Sequence, residues 1–200
     1  MIKNIIFDVG MVLISYDNDT LMDSLGYDKK TQETVKKAMF ENKLWDEGDR
    51  GAYSTEELLS KFIANAPNYE QHIRKAYDTV AENMHLFSYA VPWVKELKQR
   101  GYKLYILSNY SEKIYSQTKE KMRFLDYTDG EIFSYMYKVI KPEKKIYDIL
   151  LEKYSLVPEE CVFLDDREDN IAMAKSFGIH GIVFKNYEQA KRDLDELLKK

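Results

Sequence analysis

Cysteine is nearly absent from this chain: Cys161 stands alone, so no intrachain disulfide can form. It opens an apolar run, where a packed thiol is the expected state, and the composition suits a reducing, cytoplasmic compartment. Basic excess is missing too. The chain carries 30 Lys and Arg against 34 Asp and Glu, a formal net charge of −4, which excludes the basic face of a nucleic-acid binder. No apolar stretch approaches the ~20 residues of a membrane span. The run after Lys3 could imitate a secretory leader, but Asp8 and Asp17 interrupt it and no small-residue cleavage site follows. Internal repeats and low-complexity segments are lacking. These absences leave a cytoplasmic protein with no nucleic-acid or membrane partner, expected as a monomer or weak homo-oligomer.

What is present is an ordinary globular composition, 32% charged and 44% hydrophobic over 200 residues, enough for one large domain or a core with a smaller insert. Short β-like runs stop after Ile14. From about Tyr16 to Phe87 the periodicity is helical instead, with Ile73, Ala76, Tyr77, Val80 and Met84 on one helix face. Ser54-Thr55-Glu56-Glu57 has capping-box spacing, and Pro67-Asn68 separates that helix from the next. The block reads as about four short helices, with Trp45 to Gly51 as a loop whose glycines permit a tight turn. Alternation of strand and helix resumes at Val91 and ends in an amphipathic helix marked by Tyr187, Ala190, Leu194 and Leu197. The expected organisation is an α/β core from residues 1–15 and 88–200, interrupted by a helical insert at 16–87.

Four segments of the core share one pattern, an apolar strand running into a polar tip. Ile2 to Phe7 ends in Asp8, and Tyr102 to Leu107 ends in Ser108-Asn109. Tyr137 to Ile140 ends in Lys141-Pro142, and Cys161 to Leu164 ends in Asp165-Asp166. In a parallel sheet with helical crossovers all such tips lie on one edge, where open α/β sheets bind ligands. Asp8 alone could be a turn cap, and Asp165-Asp166 could cap a helix and meet its dipole. Adjacent acids at the end of a buried strand repel each other, however, which favours a cation between them.

These four stretches, in this order, resemble the four signature motifs of the haloacid dehalogenase superfamily, from Ile2 to about Phe184. The resemblance implies a Rossmann-like parallel sheet with a helical cap inserted after the first motif. It also implies a Mg²⁺-dependent hydrolase acting on a small phosphate ester. Within the superfamily the chain is most similar to small bacterial sugar-phosphate phosphatases with an Asp-x-Gly first motif, the glucose-1-phosphate phosphatase type. Most phosphatases of the superfamily carry a second Asp two residues after the nucleophile; here that position is Gly10.

By this resemblance Asp8 is the nucleophile, forming an aspartyl-phosphate. The metal is held by Asp8, Asp166 and the Gly10 carbonyl, while Asp165 and Asn170 stand behind the ligands and orient the ion's water. Ser108 and Asn109 correspond to the phosphate-binding second motif, and Lys141 to the lysine that bridges nucleophile and phosphate. Gly10 removes the usual acid–base residue, so either the leaving group is intrinsically good or the cap supplies the proton. Trp45, Asp49, Arg50 and His72 are the cap residues expected to set specificity, and the Asp46–Arg50 stretch is the expected source of a proton.

Two other functions compete. A 2-haloacid dehalogenase uses the same nucleophile on carbon, but needs no Mg²⁺, and a doubled acid near a carboxylate substrate is unfavourable. A non-catalytic ligand-binding protein would fit Gly10, but not the retention of Asp8, Lys141 and Asp166.

Overall fold

Short apolar runs buried along almost their whole length build the sheet on which everything else is mounted. The structure, a computed structural model, describes residues 1–199. Strand β1 (Asn4–Phe7) leads through a turn to the short strand β2 (Ile14–Ser15). Helices α1 (Asn18–Ser24), α2 (Lys29–Met39), α3 (Lys43–Arg50), α4 (Thr55–Asn65) and α5 (Glu70–Thr79) follow. Strand β3 (His85–Leu86) brings the chain back antiparallel to β2, pairing Ile14 with Leu86 and Ser15 with His85. Thereafter come α6 (Ala90–Gln99), β4 (Lys103–Ser108), α7 (Glu112–Thr118), β5 (Gly130–Phe133) and α8 (Ser134–Tyr137). The chain closes with α9 (Lys144–Tyr154), β6 (Cys161–Asp165), α10 (Glu168–Ser176), β7 (His180–Val183) and α11 (Tyr187–Leu198).

The main sheet has the order β5-β4-β1-β6-β7, and every neighbouring pair is parallel. The chain runs outward from β1 to β5, then crosses to β6 and β7 on the other side. Strand order therefore reverses beside β1, the place where open α/β sheets bind ligands at their carboxyl ends. Both faces are buried, so the strands read as continuous apolar runs. Ile5, Phe7, Leu104, Ile106, Val162 and Leu164 face one layer, which contains Trp93 and Leu97 of α6 and Leu194 of α11. Ile6, Tyr105, Leu107 and Phe163 face the other, against Ile146 and Leu150 of α9 and Ala174 of α10. The first layer continues through Val9, Val12 and Leu13 into the helices between β2 and β3, so those helices share the core. Among the described residues, no helix is long and apolar enough to cross a membrane.

Two expectations require correction. Residues 45–51 are not a loop: Lys43–Arg50 forms α3, giving five α-helices between β2 and β3 where about four were expected. The Asn42 side chain accepts from the Leu44 N–H at 2.9 Å and starts the helix. Gly48 is tolerated inside it because a Cβ there would lie 2.6 Å from Leu58 Cδ2. Gly51, at φ 68°, ends it in the left-handed region. The second correction concerns Tyr137–Ile140, which is not a strand. The outer parallel strand is β5, and the chain then makes the one-turn helix α8 and turns through Lys138 at φ 56°. Val139 still packs in the core, but as part of a loop that carries Lys141 to the sheet edge.

The capping box of α4 forms in both directions, Glu57 N–H to Ser54 Oγ and Ser54 N–H to Glu57 Oε2. Ser54→Ala should therefore cost about 1 kcal/mol, measured as a lower urea midpoint at unchanged m-value.

Candidate active site

Three adjacent strands deliver the chemistry. Asp8 follows β1, Ser108 ends β4 and Asp165 ends β6, while the loop before α9 supplies Lys141. The Asp8 N–H donates to Leu164 O at 2.9 Å, which continues the β1–β6 ladder and fixes where the Asp8 side chain emerges. Lys141 is 2% exposed and its Nζ lies 2.9 Å from Asp8 Oδ1 and 2.6 Å from Asp165 Oδ2. Asp165 is fully buried and also accepts from the Arg167 N–H at 2.8 Å and from Asn170 Nδ2 at 2.9 and 3.0 Å. Asn109 grips the Lys141 backbone twice, accepting its N–H at 2.7 Å and donating to its carbonyl at 3.0 Å. The resemblance assigned Asn109 to the phosphate; its side chain is engaged in holding Lys141.

Charge does not balance here. Asp8, Asp165 and Asp166 each present a carboxylate oxygen, all within 4.8 Å of one another, against the single ammonium of Lys141. Two unit charges ~4 Å apart repel by about 4 kcal/mol at an effective dielectric near 20. Burial, only partly offset by Lys141 and reinforced by Asp165, holds the Asp8 carboxyl well above the usual carboxylate range. Burial and then Asp165 raise Asp166 as well. Burial alone would depress Lys141, but Asp165 and Asp8 outweigh it and raise the ammonium. An uncompensated set of hard oxygen donors at the edge of a buried site fits a divalent cation such as Mg²⁺. Ser108 Oγ is buried without a hydrogen-bond partner and lines the adjoining cavity, so it has a donor to offer a ligand.

That cavity, about 250 Å³, lies between the strand tips and the helices of residues 16–87. Of the cap residues expected there, Trp45 and Asp49 line it, and Asp46 joins them. Arg50 does not. It pairs with Glu47 at 3.2 Å and with Glu143 of the core, tying α3 to the loop before α9. His72 is also outside, on α5, because its ring packs against Tyr27 at 5.0 Å and Tyr69 at 5.9 Å. Asp49 differs from the other acids of α3. Burial, then Asp46 and Asp8, raise its carboxyl to about 8, with the Ser111 N–H acting in the opposite direction.

Sequence reasoning missed Tyr16, Asn18 and Asn83, which line the same cavity from segments without any motif. Tyr16 is the informative one. A Cβ built on Gly10 would meet Tyr16 Cε1 at 3.2 Å, so the tyrosine ring stands against the bare face of Gly10. Its phenol is pushed up to about 12 by burial and by Asp166, Asp8 and Asp49, and stays protonated. Gly10 itself is not left-handed; Met11, at φ 57°, makes the turn.

Residues 2–178 match the haloacid dehalogenase-like hydrolase family. The chain belongs to that family. It is 23% identical to the D-ribitol-5-phosphate phosphatase of Bacteroides thetaiotaomicron, over 99% of both proteins. It is 25% identical to mouse Acyl-CoA dehydrogenase family member 10, aligning 98% of this chain but spanning only 19% of that protein. In three dimensions it is similar to the haloacid dehalogenase-family enzyme BT-2542 of B. thetaiotaomicron, solved with magnesium and inorganic phosphate. The TM-score is 0.77 at 21% identity, covering 95% of this chain and 99% of that one. The fold of this hydrolase is thus that of its family.

Removing the clamp on Asp165 tests the charge reading. Asn170→Ala takes two hydrogen bonds from a buried carboxylate. It should lower stability in EDTA by about 1–3 kcal/mol, read from urea unfolding of the two proteins.

Proposed function

We propose that this hydrolase is a Mg²⁺-dependent phosphatase for a small sugar or sugar-alcohol phosphate, with Asp8 as nucleophile and residues 16–87 as the cap that selects the substrate. The observation that carries the reading is the group of three converging carboxylates around Lys141, with negative charge in excess. Asp8 and Asp166, with the Gly10 carbonyl, would hold the ion. When bound, Mg²⁺ supplies charge compensation for the carboxylates and for the phosphoryl oxygens.

The remaining chemistry belongs to the chain. Lys141, held by Asn109 and Asp165, keeps Asp8 oriented and offers positive charge to the phosphoryl group. Ser108 donates to a phosphoryl oxygen. An Asp8 oxygen attacks phosphorus while the bond to the ester oxygen breaks, leaving an aspartyl-phosphate and the free alcohol once a proton has reached it. Water then attacks phosphorus, returning the Asp8 carboxylate and releasing inorganic phosphate. A cavity of about 250 Å³ lined by Trp45 and by several polar side chains suits a phosphate with a few-carbon hydroxylated body. The full-length similarity to a D-ribitol-5-phosphate phosphatase supports the same class. The resemblance to the glucose-1-phosphate phosphatase type is consistent with it. A dehalogenase reading would place a substrate carboxylate against an uncompensated acidic cluster, which is unfavourable.

Asp8→Asn should abolish hydrolysis of p-nitrophenyl phosphate while the circular dichroism spectrum and melting temperature stay near those of the parent. Residual turnover above about one per cent would remove Asp8 from the mechanism. Asp166→Asn should shift the Mg²⁺ activation curve to higher concentration by about 10-fold or more, the scale on which lost metal-site partners act. EDTA should silence the parent and excess Mg²⁺ restore it. An unchanged activation curve would refute the assignment of Asp166 as a ligand.

A further inference from the structure

We propose that Asp49, at the end of α3, is the proton donor to the leaving oxygen, a role that rests on the phosphatase reading of the same site. Breaking an alkyl phosphate ester releases a strongly basic alkoxide, so some group must hand it a proton. Gly10, beside the nucleophile, has no side chain to do so. In-line displacement from Asp8 expels the leaving oxygen on the far side of phosphorus, toward the cap wall of the cavity.

The groups with a proton to give can be taken in turn. Lys141 is occupied by Asp8 and Asp165, and those contacts favour its keeping the charge. Asp165 is saturated by Lys141, Asn170 and the Arg167 N–H. Asp46 is exposed, and Glu47 and Arg50 pair with each other. His72 lies outside the cavity. Tyr16 lines it, but a phenol raised to about 12 is a weak acid at neutral pH. Asp49 lines the cavity from α3, docked beside the segments that follow β4 and β5, and its raised carboxyl keeps it largely protonated near neutrality.

Its placement is enforced by three successive residues. The Asp49 carbonyl accepts from Ser134 Oγ, which in turn accepts from the Tyr110 N–H at 2.8 Å. Arg50 pairs with Glu143, and the Gly51 carbonyl accepts from Lys138 Nζ. A Cβ on Gly51 would lie 3.1 Å from Tyr135 O and in the left-handed region, so glycine permits this close docking of cap on core. The clamp uses backbone and neighbouring side chains and not the Asp49 carboxyl itself, which meets the Ser111 N–H.

The test is the dependence of rate on leaving-group pKa, measured with Mg²⁺ over a series of aryl phosphates and ribose 5-phosphate, for the parent, Asp49→Asn, Asp49→Glu and Tyr16→Phe. The parent should show a shallow dependence. Asp49→Asn should lose ~10²–10⁴-fold on poor leaving groups and less than about 10-fold on p-nitrophenyl phosphate. Its affinity for beryllium fluoride should be unchanged, showing an intact site. Asp49→Glu should recover part of the loss, and Tyr16→Phe should keep the shallow slope. An equal loss on good and poor leaving groups, a steep slope already in the parent, or a steepening in Tyr16→Phe alone would overturn the role of Asp49 while leaving the phosphatase intact. Absence of Asp8-dependent hydrolysis of every ester would instead refute the phosphatase reading, and this inference with it.

Discussion

The buried ammonium of Lys141, held between Asp8 and Asp165, is the contact on which the site depends. Burying a charge is tolerable only when it is paired and hydrogen-bonded, and each member of this trio meets that condition through a different element. Asp8 comes from β1, Asp165 from β6, and Lys141 from a loop that Asn109 of the β4 tip holds by two hydrogen bonds. Asn170 of α10 completes the set from below. The ion pair therefore records the alignment of three neighbouring strands. A shift of any one would strand a buried charge.

Those contacts still leave the site short of positive charge, and the shortage is what gives it chemistry. Asp166, partly exposed, adds a third carboxylate, and the neighbouring Arg167 is already paired with Asp169. A protein selected only for stability would gain by removing that acid. Retaining it prepares a place for a divalent ion and, next to it, for the phosphoryl group whose oxygens that ion and Lys141 would share. The helices between β2 and β3 contribute a different environment. Their wall joins aromatic surface with Asp49, whose carboxyl is raised chiefly by burial.

Much of this was legible from residue order. Asp8, Ser108, Lys141 and Asp165 were located because each ends an apolar run, and a parallel sheet collects such ends on one edge. The strand assigned to Tyr137–Ile140 failed because an apolar run can be buried as loop as well as ladder; a left-handed Lys138 sends it across the sheet edge. The stretch at residues 45–51 was misread for a related reason. Glycine suggests a turn, but Gly48 serves close helix packing against Leu58, and only Gly51 ends the helix. His72 and Arg50 were named by residue type alone, and packing against Tyr27 decides against the first and an ion pair with Glu143 against the second. Tyr16 was invisible, since its importance lies in a contact with Gly10 that no spacing encodes.

The central claim is that the acidic cluster binds a divalent cation beside the nucleophile. Crystals grown with Mn²⁺ in place of Mg²⁺, and measured for anomalous scattering, address it directly. The account predicts one strong peak at about 2.0–2.2 Å from carboxylate oxygens of both Asp8 and Asp166, with Lys141 still joined to Asp8 and Asp165. A peak elsewhere, or none at that place at millimolar Mn²⁺, would contradict it.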